Sequence, residues 1–370
     1  MECTIISCRT LQGGYFMNLK PLQDFSGEER SILGLFGIDV GNHDTKSRHT
    51  VFASGYKKDL VLNKLSAEYI EIENNGVTEY YTPTLEPFNF SNDKTSTDEM
   101  WILSLFSIAK EAIARGISIC NKEGIVLAIG MPPGDFNERN AVAYKKYYRP
   151  GSEVKFYYKN IPFNFVIEDV FVTAQCWGAA AQYKSLIKGL NDVYFIDIGG
   201  ITTDVMRIVH NQIQSDSIDS YKEGVKKLFM QISKQLRSEA GINVSPLQIS
   251  DVLSGKDESS SVYKKFGVRI HELAYDWLKS LFTSMITAGA EFSLTPVVTL
   301  GGGPLLLESE LKKVSDDLGF YEWKSITDNR ANAIGYESIA AVPKYKIKKK
   351  ALDEYWAKFD WERKEQADEE

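Results

Sequence analysis

Mostly apolar runs, each closed by glycine or by a polar turn, recur along the chain. They cover residues 33–40, 124–130, 193–198 and 297–300. Runs of this kind are typical of strands that are covered on both faces of a sheet. Similar reasoning predicts further strands at 50–54, 153–158, 163–168 and 204–209. The pattern therefore predicts sheets with buried central strands.

Between these runs, apolar residues recur three and four positions apart, the spacing of an amphipathic helix. This spacing predicts helices over 98–115, 171–188, 222–240, 268–288 and 330–341, and one that begins behind Pro304. Strands that alternate with helices are typical of the α/β class. The sequence thus predicts an α/β fold.

Two stretches depart from this alternation. Residues 1–34 precede the first convincing strand, and their polar run at 24–30 predicts an N-terminal extension. Residues about 56–95 carry turn signals, such as Asn-Asn-Gly at 74–76. We expect them to form a small inserted lobe of strands and turns.

The charged tail, residues 351–370, keeps a helical pattern. Its apolar residues recur at i, i+3, i+4 and i+7, namely Leu352, Tyr355, Trp356 and Phe359. This spacing predicts an amphipathic helix rather than coil. We interpret the stripe as a face that docks on the chain's own domain; the alternative is a face that packs against a neighbouring subunit.

Composition narrows the classes of function. The 370 residues include 50 acidic and 43 basic side chains, a net charge of −7, so no overall basic field indicates direct binding to nucleic acid. No stretch approaches the roughly 20 apolar residues that cross a bilayer. The four cysteines form no CxxC pair, and the four histidines lack zinc-ligand spacing. We therefore expect a cytoplasmic protein with reduced thiols, without membrane contact or a zinc cage.

Two segments repeat one design. FGIDVGNHDTK at 36–46 and FIDIGGITTDV at 195–205 each present an apolar strand, an aspartate and a glycine turn. The aspartates, Asp39 and Asp197, lie 158 positions apart (197 − 39), about one domain. An internal duplication explains the repeat.

The chemistry of this repeat indicates phosphate. Glycine lets backbone amides approach an oxyanion, and an aspartate at a strand end can hold a hydrated Mg²⁺ beside phosphate oxygens. Lys46 can place a point charge on the phosphates, and Thr202 and Thr203 supply hydroxyl donors. A third element, GGGP at 301–304, follows a strand and offers bare backbone to a base or ribose. Two facing hairpins would hold a polyphosphate from both sides.

In this order the segments resemble the actin fold, whose superfamily includes heat-shock chaperones and sugar kinases. The nearest resemblance is to bacterial and archaeal actin-like proteins of the ParM kind, filament-forming ATPases that segregate plasmids. GIDVGNHDTK is similar to their first phosphate loop and YFIDIGGITTDV to their second. TLGGGPLLLESEL resembles their adenosine loop, and NRANAIGYESIAA their closing helix. The resemblance spans roughly residues 35–342.

The resemblance implies two duplicated domains of ribonuclease H type that flank a nucleotide cleft. The first domain would cover 35–190, including the inserted lobe, and the second 191–334. A closing helix over 335–350 would return to the first domain. Residues 1–34 and 351–370 would be additions to this framework.

The resemblance also implies Mg-ATP, or GTP, as the bound nucleotide. Asp39 and Asp197 would hold Mg²⁺ through waters. Glu168, in FVIEDVFVTAQ, matches the family's catalytic acid and would orient the attacking water. The implied phosphate-binding residues are Asp39, Gly41, Asn42, His43, Lys46, Asp197, Gly199, Gly200, Thr202 and Thr203. The implied adenosine-binding residues are Gly224, Gly301, Gly302 and Gly303.

The function implied is that of an ATPase that polymerises with itself and moves DNA only indirectly, through a small DNA-binding adaptor of the ParR type. The alternative is a small-molecule, sugar-type kinase of the same superfamily, for which Asp135 or Asp204 would be the base. A chaperone ATPase is a third alternative, although no β-rich peptide-binding domain follows in this chain.

Overall fold

The computed structural model describes residues 19–63, 66–88, 95–183, 191–210, 212–214 and 217–369. The strands of its first half are β1 Lys20–Pro21, β2 Leu35–Val40, β3 Asp44–Lys46, β4 Val51–Ala53, β5 Tyr56–Asp59, β6 Ile70–Asn74, β7 Val77–Pro83, β8 Ile117–Ser118, β9 Glu123–Met131, β10 Glu153–Tyr158 and β11 Ile161–Ala174. The helices of this half are α1 Gly27–Leu33, α2 Glu99–Ala114, α3 Glu138–Tyr147 and α4 Trp177–Gln182, with 3₁₀ turns at Leu22–Asp24 and Pro133–Asp135.

The second half has its own strands and helices. Its strands are β12 Asp192–Ile198, β13 Thr203–Val209, β14 Gln212–Ile213, β15 Asp219–Tyr221, β16 Val297–Leu300 and β17 Trp323–Ser325. Its helices are α5 Val225–Ala240, α6 Pro246–Leu253, α7 Ser261–Thr287, α8 Gly302–Leu306 and α9 Glu308–Asp317, followed by α10 Ala331–Tyr345 and α11 Lys349–Glu369. No helix in the described part of the chain is both long and apolar enough to cross a membrane.

The two large sheets share one strand order. In the first, β4-β3-β2-β9-β11 lie side by side, and in the second β14-β13-β12-β16-β17 do. In the first sheet, β2 pairs antiparallel with β3 and parallel with β9. In the second sheet, β12 likewise pairs antiparallel with β13 and parallel with β16. This common order confirms the predicted α/β fold with a doubled unit.

The inserted stretch extends the first sheet. Strands β6, β7 and β5 join its edge through β10, which pairs with β11. Asn75 and Gly76 both have positive φ, at 53° and 78°, and link β6 to β7. Two such residues make the tight hairpin turn that Asn-Gly favours, so the turn predicted at 74–76 forms.

The segment predicted as an N-terminal extension is part of the first domain wherever the structure describes it. Lys20–Pro21 pairs with Ile117–Ser118, and α1 buries Ile32 and Leu33 beside Leu22. These apolar residues belong to the same buried core as the strands of the first sheet, and so that core includes residues before position 35. Residues 1–18 lie outside the described residues.

The helix predicted over 171–188 is wrong in its first part. Strand β11 continues to Ala174, because its residues 169–174 pair in parallel with 126–131 of β9. The described helix is only Trp177–Gln182, and residues 184–190 lie outside the described part. Tertiary pairing with a largely buried strand here overrides the helical spacing.

Helix α10 packs across the middle of the first domain. It crosses α4 at Gly178 and Gly335, where a side chain on Gly335 would collide with the Gly178 backbone. Beyond it, α11 buries Leu352 and Trp356 against the same core. The amphipathic tail therefore docks on its own domain, as we interpreted it.

Candidate functional site

Two hairpin turns with the same geometry lie at the ends of β2 and β12. The amide of Gly41 donates to the Asp44 carbonyl at 3.1 Å, and the amide of Gly199 donates to the Thr202 carbonyl at 2.9 Å. Each aspartate lies one residue before its strand ends. Cross-strand pairing sets Asp39 opposite Lys46 and, in the second hairpin, Asp197 opposite Asp204.

The two turns face each other across the halves of the molecule. A Cβ on Gly200 would lie 3.0 Å from the Cβ of His43. Lys226 Nζ, at the start of α5, lies 3.5 Å from the Asn42 carbonyl. Both turns, together with Lys46 from the first half and Lys226 from the second, thus lie close together. Lys226 was not among the residues predicted from the sequence.

The first hairpin carries a buried ion pair. Asp39 is buried, and Lys46 Nζ lies 3.6 Å from its Oδ2. Burial by itself would lower the pKa of Lys46, but the carboxylates of Asp39 and Asp197 outweigh it and raise that pKa. Lys46 therefore stays protonated and positively charged at the point where the two halves meet.

The second hairpin carries two carboxylates instead. Burial, together with the neighbouring charges of Asp204 and Asp39, raises the pKa of Asp197 to about 7, although Lys46 opposes the shift. Asn332 of α10 donates to Asp197 Oδ2 at 2.9 Å. A carboxylate this hard to ionise in the free protein is suited to a cation that arrives with a ligand.

The two threonines differ in where their hydroxyls point. Thr202 Oγ1 donates to Asp204 Oδ2 at 3.3 Å. Thr203 is fully buried, and its hydroxyl donates to the Glu223 carbonyl at 2.5 Å. The Thr203 hydroxyl therefore supports the backbone behind the turn, because its proton is already used there, and it is not a donor to a ligand.

The glycines predicted to bind adenosine all adjoin the second hairpin. Gly301 has φ +93°, and a side chain on it would collide with Asp197 Oδ1. Gly302 faces open space, and Gly303 packs on Ile198. Gly224 caps α5 close to the backbone of residues 200–201, and the next amide, of Val225, donates to the Gly199 carbonyl at 3.0 Å.

Glu168 does not lie with these residues. Its side chain is exposed and covers Gly124, near the start of β9. Asp39 instead lies beside Gln175. Gln175 follows Glu168 by seven residues, which in an extended strand separates the two by about 23 Å, at ~3.3 Å per residue. The predicted catalytic role of Glu168 is therefore wrong: β11 does not end at residue 168, so Glu168 lies on the wrong part of the strand.

Gln175 occupies the position beside the first aspartate. Its Nε2 donates to Asp39 Oδ1 at 3.2 Å. The next residue, Cys176, has φ 64° and ψ −45°, and the Trp177 amide donates across it to the Gln175 carbonyl at 2.7 Å. This three-residue turn is strained, and strain of ~1–3 kcal/mol at a non-glycine residue is typical of functional sites. The signal in the sequence was that Gln175 is the first long polar side chain after the strand.

The donor set fits a hydrated divalent cation. No cluster of three or more histidine, cysteine or carboxylate side chains that could hold a metal directly occurs among the described residues. Mg²⁺ in phosphate sites usually takes one or two carboxylates, with waters and phosphate oxygens completing its shell. Asp39 and Asp197, one from each half, supply that number.

Comparison with solved structures identifies the fold. The archaeal actin homolog Ta0583 in complex with ADP matches with a TM-score of 0.64 at 19% identity, over 83% of this chain and 98% of that one. The apo ParM protein of psk41 matches at 0.60 and 16%, over 84% and 98%. The AlfA filament bound to AMPPNP matches at 0.53 and 18%, over 87% and 98%. The chain therefore has the actin-like fold of these bacterial and archaeal proteins. No protein-family model and no curated protein matches the sequence.

Proposed function

We propose that the protein is an actin-like ATPase that binds Mg-ATP between its two halves and polymerises with itself. The observation that carries the proposal is the pair of hairpin turns that face each other, with Asp39 and Asp197 behind them. One such turn is common in proteins, but two related turns that meet across a doubled fold make a cradle for a polyphosphate.

Each group in the cradle has a definite task. The backbone amides of residues 42–43 and 200–202 bind phosphate oxygens, since those of Gly41 and Gly199 close the turns themselves, and Lys46 adds a fixed positive charge. Asp39 and Asp197 would hold Mg²⁺ through waters, and the ion would neutralise charge on the phosphates. The bare backbone at Gly302 takes the adenosine side.

Gln175 is the group suited to orient the attacking water. Its carboxamide lies beside Asp39, carries both donors and an acceptor, and is aimed by the strained turn that follows it. An amide cannot take the proton from that water, so its contribution is orientation. Glutamine can serve this task in phosphoryl transfer, where positioning supplies most of the catalysis.

Nucleotide binding would be coupled to the relative position of the halves. Phosphates that touch both turns bind more strongly when the halves are close, so nucleotide favours closure. Ta0583 has been solved with ADP, and Alp12 and AlfA have been solved as filaments. These relatives support self-assembly here, with head-to-tail contacts between identical subunits. A ParR-type adaptor, plasmid DNA as cargo and a cytoplasmic location stay predictions.

The decisive experiment adds Mg-ATP, Mg-GTP or Mg-ADP to the purified protein. We measure nucleotide affinity by calorimetry, phosphate release by a coupled assay, and assembly by light scattering and electron microscopy. We expect binding, slow hydrolysis, and filaments with a triphosphate. Protein that binds no nucleotide, or that binds it without assembling under any of these conditions, would contradict the proposal.

The sugar-kinase alternative gains no support from its candidate bases. Asp204 is buried and accepts a hydrogen bond at 2.5 Å from Ser220, besides that from Thr202. Asp135 is exposed in a 3₁₀ turn, and no hydrogen bond between it and the residues of the two turns occurs in the described part of the chain. Asp204 is already engaged by two hydroxyl donors, whereas a base that deprotonates a sugar hydroxyl must be free to accept its proton.

A further inference from the structure

We propose that Asn332 is a positioning residue that fixes the spacing between the Gln175 turn and Asp197. This inference rests on the proposed function, since it concerns how the two halves of that site are held in register. It assigns a task to a buried amide of α10, far in sequence from both groups.

The carboxamide of Asn332 makes contacts in both directions. Its Nδ2 donates to Asp197 Oδ2 at 2.9 Å. Its Oδ1 accepts from the amides of Cys176 at 3.1 Å and Ala179 at 3.2 Å. Because the carboxamide is planar, with donor and acceptor on opposite sides, it sets a fixed distance between the groups it joins. One buried side chain therefore links the second aspartate to the start of α4.

The Cys176 contact is significant because the backbone there is strained. Cys176 is the left-handed residue of the turn that aims Gln175 at Asp39. Strained backbone persists only where surrounding contacts fix it. Asn332 supplies the side-chain acceptor for the Cys176 amide, so it holds the conformation that points Gln175 into the site.

Asn332 itself is firmly held. One turn along α10, the ring of Tyr336 is fully buried and fills the space over Gly130 and Gly178. The helices α10 and α4 are in backbone contact at Gly178 and Gly335. A helix packed this closely cannot shift without displacing its neighbours, so Asn332 acts as a rigid link rather than a mobile one.

The sharpest test is the isosteric variant Asn332→Asp. It keeps an acceptor for the Cys176 and Ala179 amides but sets an oxygen against Asp197, so the contact with Asp197 alone is lost when both carboxyl groups are ionised, and the assay is run well above the pKa of Asp197. We expect kcat for nucleotide hydrolysis to fall about tenfold or more, with the Kd for ADP within about threefold, because positioning acts on the chemical step rather than on binding.

The variant Asn332→Ala removes the contact with Asp197 and also the contacts with the Cys176 and Ala179 amides. A second measurement, the reactivity of the Cys176 thiol, reports on the turn that follows Gln175. In a Cys3→Ser, Cys8→Ser, Cys120→Ser background, Cys176 is the remaining thiol of the chain, and it is buried. We expect Asn332→Ala to speed its labelling by an aromatic disulfide reagent about tenfold, because local opening exposes it. Asn332→Asp should leave labelling at the parent rate.

Ser338→Ala is the matched control, since Ser338 is buried on the same helix and bonds Gln182 and Ile334 instead. It should leave kcat and labelling unchanged. Parent-like hydrolysis in Asn332→Asp, or parent-like labelling in Asn332→Ala, would overturn the inference, and if the alanine variant fails to fold the aspartate variant still decides. A parent protein that neither binds nor hydrolyses nucleotide overturns the proposed function instead, while the labelling comparison still tests the link to Cys176.

Discussion

The two hairpins share a backbone and differ in charge. Both close with the same amide-to-carbonyl hydrogen bond, from Gly41 in one and Gly199 in the other. Opposite its aspartate, however, the first carries Lys46 and the second carries Asp204. Duplication preserved the geometry of the turn and left the electrostatics free to diverge. The first hairpin supplies the fixed cation, and the second supplies a carboxyl that ionises reluctantly.

The hairpins also differ in what braces them. Buried charged side chains hold the turn after Lys46. Glu111 accepts hydrogen bonds from the Ser47 hydroxyl and the His49 amide. Arg48 forms an ion pair with Glu337 at 2.7 Å. Trp356 of α11 covers Arg48, whose guanidinium lies 4.7 Å from its ring centroid. The second hairpin has strand β15 and Ser220 beside it instead. The tail thus supports the first hairpin, through Trp356 and Arg48.

The largest expected effect comes from removing the Trp356 side chain that covers Arg48. Trp356 is 2% exposed, and truncating a buried tryptophan to alanine costs about 3–5 kcal/mol of stability. We expect Trp356→Ala to lose that much of the free energy of unfolding, measured in urea. Trp361→Ala, on the same helix but 58% exposed, should stay within about 0.5 kcal/mol of the parent. Equal losses would show that the tail does not brace the hairpin.

Next in size is the loss of the fixed cation. A hydrogen bond to a charged group contributes about 1.5–3 kcal/mol, so Lys46→Met should weaken ADP binding about 10- to 100-fold. Lys226→Met is the comparison from the other half; Lys226 is partly exposed and its pKa is lowered by burial, so we expect a smaller loss. Calorimetric titration measures both. A larger loss for Lys226→Met would reverse the roles assigned to the two halves.

The second hairpin should leave a signature in the pH dependence of stability. The pKa of Asp197 is raised to about 7, whereas an unfolded aspartate titrates near 4. Between about pH 4 and 7 the native state binds more protons than the unfolded chain, so this group makes stability fall as pH rises, by up to about 1.4 kcal/mol per pH unit.

Asp197→Asn removes this titration. Without nucleotide, its stability relative to the parent should therefore increase from pH 4 to pH 7 and then level off, as followed by urea unfolding at each pH. A constant difference between the two proteins across that range would show that Asp197 ionises normally in the folded chain.

The smallest expected effect is the difference in stability between alanine substitutions at Gly41 and Gly199 in the two turns. A Cβ on Gly41 would lie 2.7 Å from the Asp44 carbonyl oxygen, whereas one on Gly199 would lie 3.0 Å from that of Thr202. Overpacking of this kind costs about 1–3 kcal/mol, at the low end where neighbours can shift. Gly41→Ala should therefore cost about 1 kcal/mol more stability than Gly199→Ala, measured by thermal unfolding. Identical costs would mean that both turns relax equally.

The aspartate turns could be predicted because their signal is local. A strand, an aspartate and a glycine within a few residues fix both the turn and the position of the side chain. Glu168 and Gln175 show the limit of such reasoning. Which of them reaches the strand end depends on how far β11 pairs with β9, and that pairing is set by a strand some 40 residues earlier in the chain.

By itself the sequence determined the doubled α/β framework, the two acid-tipped turns and the amphipathic tail, because each is encoded in contiguous residues of regular period. Only the tertiary structure decided that Gln175 lies beside Asp39, that Asn332 joins Cys176 to Asp197, and that Trp356 covers Arg48. These contacts connect residues more than 130 positions apart, and no local propensity or periodicity fixes where such distant segments meet.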